Sequence, residues 1–170
     1  MPNYNMCKQY IFRIIMKSCC IIGHREFEKS EYLELKVKET IINLIEKERV
    51  TNFLFGSNSK FNDFCYDIVS ELKNIYVDIK RIFVRAEFPV ISNDYFNYLK
   101  KFYEDSYFYS EKLITNKFSH IRRNQIMINR SDFCLFYFNN NYIPKTKTQS
   151  GTKLAYEYAT KKGKSVINIF

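Results

Sequence analysis

The chain has 170 residues, 46% of them hydrophobic in type and 18% aromatic, enough to bury one substantial core with little left for a second. Its formal net charge of +9 comes from basic residues scattered along every segment, with no block of five or six. That leaves two readings, a lysine-rich solvated surface or anionic partners that include nucleic acid. The five cysteines form no Cys-x-x-Cys pair, and His24 and His120 lie far apart without ligand-spaced neighbours, so no metal is implied and the cysteines read as reduced cytosolic thiols.

At the start of the chain, the apolar stretch from Tyr10 to Met16 is broken by Arg13, and Cys19 to Ile22 is far shorter than the ~20 residues of a membrane span. Gly23-His24-Arg25-Glu26 stands where a signal peptide would need small residues, so neither a membrane helix nor a signal peptide is expected, and the location is read as cytoplasmic. Met16 offers an alternative start, so residues 1–16 are read as an N-terminal extension and 17–170 as a single domain.

Ser18 to Ile22 is a short apolar run ending at Gly23, the pattern of a buried parallel strand. Ser30 then predicts the cap of a helix whose apolar positions are Leu33, Val37, Ile41, Leu44 and Ile45. The unit repeats with a strand from Asn52 to Phe55, Gly56, and a helix marked by Phe61, Phe64, Ile68, Leu72 and Ile75. A third strand, about Lys80 to Val84, runs into Arg85, Ala86, Glu87, Phe88 and Pro89, and the proline ends any regular element there. The stretch around 90–118 has no clean period and is read as an insertion or lid with a short helix about Tyr95 to Tyr103. Ser119 is expected to cap a helix to about Arg130, Phe133 to Phe138 is a fourth strand, and 139–149 is a polar loop. Gly151 and Thr152 open a last helix, Gly163 is placed as its left-handed terminator, and Ser165 to Phe170 closes the sheet. The fold class is therefore α/β: a Rossmann-like, mostly parallel sheet of about five strands with helices on both faces, binding ligands beyond the carboxyl ends of the strands.

Only four glycines are used, and Gly23, Gly56 and Gly151 fall where a strand ends or a helix begins. Each alone is a turn glycine; three on one sheet edge point to main-chain amides arranged around a phosphate. The neighbouring side chains suit an anion: His24 and Arg25 after the first strand, Ser57, Asn58, Ser59 and Lys60 after the second, and Arg85 after the third. Either arginine can hold phosphate in a fork, while Lys60 is a movable point charge. Arg122, Arg123 and Asn124 occupy the first turns of the fourth helix, where positive charge opposes the helix dipole unless an anion is near.

Gly23-His24-Arg25, the Phe-Gly-Ser-Asn-Ser-Lys-Phe-Asn stretch from Phe55, Arg-Asn-Gln-Ile-Met-Ile-Asn-Arg-Ser-Asp from Arg123, and Ser150-Gly151-Thr152-Lys153 with the following Glu-Tyr-Ala-Thr-Lys-Lys-Gly together resemble the YpsA-like branch of the SLOG superfamily. The superfamily includes the LOG phosphoribohydrolases and DNA-processing protein A. The resemblance covers nearly all of the chain after Lys17 and implies a Rossmann-like domain for nucleotides, nucleotide-derived signals or, in some members, single-stranded DNA. Members often pair through helices, so a homodimer is also implied.

The chain departs from this pattern at two places. Ser57 follows Gly56 where a second glycine is usual, and Lys60, Phe61 and Asn62 replace Gly-Phe-Asp. In the LOG motif, Thr148, Gln149 and Ser150 replace the proline–glycine start, and Ala155 stands at the glutamate position. Glu157 lies two residues on, rotated by about 200° around the helix. The expected ligand set is therefore Gly23, His24, Arg25, Gly56, Ser57, Asn58, Lys60, Arg85, Arg123, Asn124, Ser150, Gly151 and Thr152 around a nucleotide-like molecule, with no cofactor required. Three functions stay open: a sensor or carrier, a hydrolase of nucleoside monophosphates using Glu87, Glu104 or Glu157 as a relocated catalyst, and weak, non-specific nucleic-acid binding.

Overall fold

Alternate residues of the first apolar run face opposite ways, so a strand through them buries both faces of a sheet. The computed structural model describes residues 16–56, 59–86, 90–108, 118–144 and 150–170. In it, β1 (Lys17–Gly23) places Cys19 and Ile21 in one apolar cluster and Cys20 and Ile22 in another. The first cluster is completed by α1 (Glu31–Glu46) and α2 (Lys60–Leu72), which follow β1 and β2 (Val50–Phe55). The second is completed by α4 (Ser119–Asn129) and α5 (Gly151–Lys161) through Met127, Ile128, Ala155 and Ala159.

With β3 (Lys80–Arg85), β4 (Asp105–Phe108), β5 (Phe133–Tyr137) and β6 (Ser165–Asn168), the strands form one sheet in the order β4-β3-β2-β1-β5-β6. Every pairing is parallel. The order reverses between β1 and β5, whose Gly23 and Tyr137 are in register, and this is where a doubly wound sheet opens a crevice at its carboxyl edge.

Local signals set most of the helix ends. Ser30 caps α1 by accepting the Leu33 N–H at 3.1 Å, an interaction worth about 1 kcal/mol. Ser59 and Ser150 cap α2 and α5 in the same way. Gly163 adopts φ 64°, the left-handed conformation expected of a helix terminator. Ser119 does not cap α4: it is the first residue of the helix and buried, while Phe118 takes the cap position without a side-chain hydrogen bond.

The fourth strand in chain order comes from the stretch read as an insertion. There, α3 (Asn93–Leu99) is followed by β4, which pairs with β3 and extends the sheet to six strands. As a half-buried edge strand opening on Asp105 and Ser106, β4 needs no continuous apolar run and carries none. Ile75 lies beyond α2 and is exposed, so the helical pattern read through it overran by one turn.

Cys19, Cys20, Cys65 and Cys134 are buried with free thiols. Among the described residues no helix is long and apolar enough to cross a membrane, and no three His, Cys, Asp or Glu side chains gather to hold a metal ion.

Candidate functional site: the carboxyl edge of the sheet

In a parallel sheet each helix that follows a strand starts at the carboxyl edge, so the positive ends of α1, α2, α4 and α5 gather there. Gly56 closes β2 at this edge, and a Cβ on it would lie 2.8 Å from the Val84 carbonyl oxygen and 2.9 Å from Arg123 Cδ. Because the first of these atoms is strand backbone, only glycine fits without moving β3.

The Gly56 carbonyl accepts a hydrogen bond from Arg123 Nη1. Arg123 Nε and Nη2 both donate to Asn124 Oδ1, at 3.3 and 3.1 Å. The side chain is only 5% exposed, and burial alone pulls its pKa down to about 10, with no carboxylate among the described residues to offset it. The group therefore stays protonated at neutral pH. A buried cation held by neutral acceptors is costly to the fold, and among the described residues two of its five N–H donors find no acceptor.

The first turn of α5 belongs to the same edge, and the helix as a whole packs on β1 and α4. Ser150 Oγ satisfies the Lys153 amide, which leaves the Gly151 and Thr152 amides without intrahelical partners. Gly151 is exposed, and a Cβ there would meet nothing within 4 Å. Thr152 is buried. Arg85 ends β3 half-buried, its pKa lowered by burial against a small opposing effect of Tyr95.

Other expected members of the site have different surroundings. A Cβ on Gly23 would sit 2.7 Å from Phe61 Cγ, so the absence of a side chain here makes room for a phenyl ring. Phe61 in turn stacks on Tyr137 and meets Phe27 edge-on, plugging the α1/α2 side of the crevice with aromatic rings. Lys60 is paired with Glu26 at 2.7 Å, and Arg25 is exposed while its carbonyl accepts the Lys60 amide. His24 is buried and bonded to the Asn139 amide. Ser57, Asn58 and Glu87 lie outside the described residues.

The two carboxylates that are described stand apart from the crevice. Glu104 precedes β4 at the amino edge, where burial pushes its pKa up but the Arg81 guanidinium and amide pull it down further, for a net lowering. Glu157 is exposed on α5, 4.0 Å from Lys153. Ala155, at the position of the LOG glutamate, is packed into the apolar cluster beneath α5.

Two residues outside the expected set also shape this edge. Asn62, buried in α2, donates to the Ile21 carbonyl at 3.1 Å and ties that helix to β1. Its only sequence signal is a polar residue interrupting an apolar helix face. Tyr142 stacks on His24, and nothing in its polar loop announced it.

No family model and no curated protein matches the chain. Among solved structures it is similar to the X-ray structure of DNA processing protein A (DprA) from Streptococcus pneumoniae, with a TM-score of 0.56 and 16% sequence identity over 89% of this chain and 49% of that one. The chain thus spans about half the length of that protein. The likeness concerns architecture: this chain has a Rossmann-like α/β fold similar to part of that structure.

Proposed function

We propose that the chain binds a phosphorylated nucleotide or nucleotide derivative at the carboxyl edge of the sheet, as a sensor or carrier of the YpsA-like kind acting in the cytoplasm. One observation carries this reading: the buried Arg123 guanidinium, protonated and without a carboxylate partner among the described residues, stands at the edge where the helix N-termini converge. A phosphate would supply the missing counter-charge, and the amides of Gly151 and Thr152 would share the load. Catalysis of the LOG kind is not part of the proposal, because Ala155 occupies the glutamate position and Glu157 faces solvent.

A thermal-shift panel of nucleoside mono-, di- and triphosphates tests the reading. A ligand at a hundred times its dissociation constant should stabilise the protein by about 2.7 kcal/mol. A panel in which nothing shifts the transition would overturn the proposal. The homodimer implied by the resemblance is tested by sedimentation of the same sample.

A second reading is favoured by a separate feature. Tyr95, Tyr98 and Phe102 form an exposed row with ring centroids 6.2 and 5.2 Å apart, beside Lys100 and Lys101. Such a row offers stacking and charge to single-stranded nucleic acid. Its affinity should be weak and should fall steeply with salt, which fluorescence anisotropy with a labelled oligonucleotide would measure.

A further inference from the structure

His24 follows β1 at the point where the strand order reverses, and its side chain is held by the loop that leaves β5. Nε2 accepts the Asn139 backbone N–H at 3.0 Å, so this nitrogen carries no proton and the neutral ring keeps its proton on Nδ1. Nδ1 is buried and has no hydrogen-bond partner among the described residues. Tyr142 stacks on the ring at 4.0 Å between centroids, with planes 25° apart, and Phe138 lies 5.9 Å away. The turn itself is closed by Tyr142 N–H on the Asn139 carbonyl and Asn141 N–H on Asn139 Oδ1. One imidazole therefore gathers Phe138, Asn139 and Tyr142 into a fixed arrangement.

The charged and titratable groups around it have other engagements. Arg25, next in the chain, is exposed, and Glu26 pairs with Lys60 at the start of α2. Tyr137 of β5 meets the ring edge-on and is influenced by Glu28. On the other side, Tyr156 of α5 stacks on Phe138. Burial pushes the His24 pKa below the ordinary value. The backbone of Asn139 acts in the opposite sense, raising it by less than burial lowers it.

We propose that His24 is an acid-sensitive latch on the turn that leaves β5, residues 138–142: unprotonated Nε2 holds the Asn139 amide, and protonation sets two N–H groups against each other and releases the turn.

The test uses the full chain, ¹⁵N-labelled and without ligand, followed by NMR from pH 7.5 to pH 4.5. At pH 7.5 His24 Nε2 should resonate as an unprotonated ring nitrogen. On acidification the Asn139 and Tyr142 amide signals should move together with the His24 ring, with a midpoint below about 6.5. In His24→Gln, whose side-chain oxygen accepts at every pH in this range, the two amides should lose that response. A protonated Nε2 at pH 7.5, loop signals that stay flat to pH 4.5, or an unchanged response in His24→Gln would each overturn the latch. The wild-type co-titration decides even if the variant fails to fold, and a nucleotide panel without effect leaves it standing.

Discussion

At the amino edge of the sheet Arg81 meets a carboxylate, and at the carboxyl edge Arg123 meets none among the described residues. Arg81 Nη2 and Nε bond Glu104 at 2.7 and 3.2 Å, its backbone N–H takes the same carboxylate at 2.6 Å, and Nη1 reaches Ser70 and Tyr66 at 2.8 and 3.2 Å. Lys73 completes the cluster 3.8 Å from Glu104. Arg123, more deeply buried, has among the described residues only the Gly56 carbonyl and an amide oxygen. The first arrangement is self-sufficient and fastens α2 to β3 and to the start of β4. The second has no carboxylate among the described residues, and the proposed nucleotide phosphate would supply that charge.

The sharpest way to break this comparison is to remove each arginine in turn. Arg81→Met takes the guanidinium donors from Glu104, Ser70 and Tyr66, and should cost about 3 kcal/mol in urea unfolding. The ligand-induced stabilisation should survive it. Arg123→Met should cost only about 1 kcal/mol, because the orphaned Gly56 carbonyl is offset by relief of a desolvated charge. The shift of about 2.7 kcal/mol given by saturating nucleotide should then vanish. Equal costs for the two variants would mean that Arg123 has a structural partner of its own.

Gly151→Asp sharpens the same point without touching the core. The new side chain enters open space at the first turn of α5, where a carboxylate complements the helix dipole and stabilises by roughly 0.3–1 kcal/mol. That carboxylate also stands where phosphate is proposed to lie. The variant should therefore unfold slightly later than wild type and lose the nucleotide shift. Retention of the full shift would place the anion elsewhere on the sheet edge.

The contrast between the edges also bears on what the sequence could disclose. β1, β2 and β5 were legible because a strand buried on both faces must be apolar throughout, and Gly163 was legible because a left-handed terminator favours glycine. β4 was not, since an edge strand needs neither property. Arg123 could be singled out because a basic residue early in a helix opposes the dipole. The surroundings of Gly23 were not legible, because no local pattern reveals that the space it leaves is filled by Phe61, 38 residues away in the chain. The pairing of Lys60 with Glu26, and of Glu104 with Arg81, likewise depends on tertiary neighbours.

Acid should separate the edges by a smaller amount. The Glu104 pKa is lowered on folding, so its contribution to stability is present above the unfolded value of about 4.3 and is lost as pH falls through the lowered folded value. Stability of the wild type should decline between about pH 4.5 and pH 3 more steeply than that of Glu104→Gln, which has no such proton to bind. Chemical unfolding across that range would show it, and parallel curves would mean that the Arg81 pair contributes nothing through ionisation.

The smallest expected effect is none at all. Incubated with adenosine or cytidine monophosphate, the protein should release no free base at the rate of a phosphoribohydrolase. Cleaving the N-glycosidic bond requires a carboxylate placed near the sugar to stabilise the developing cation or activate water. On α5 the position that would supply it is Ala155, buried against the sheet, and Glu157 is turned to solvent beside Lys153. Glu104 is committed to Arg81 at the opposite edge. Chromatography of the mixture over a day would reveal adenine or cytosine if this is wrong. Product that disappears in Glu157→Gln would then mean that α5 turns about its axis on binding substrate. Product that persists in that variant would direct attention to Glu87, since moving Glu104 would first require breaking the ion pair that fastens β4 to β3.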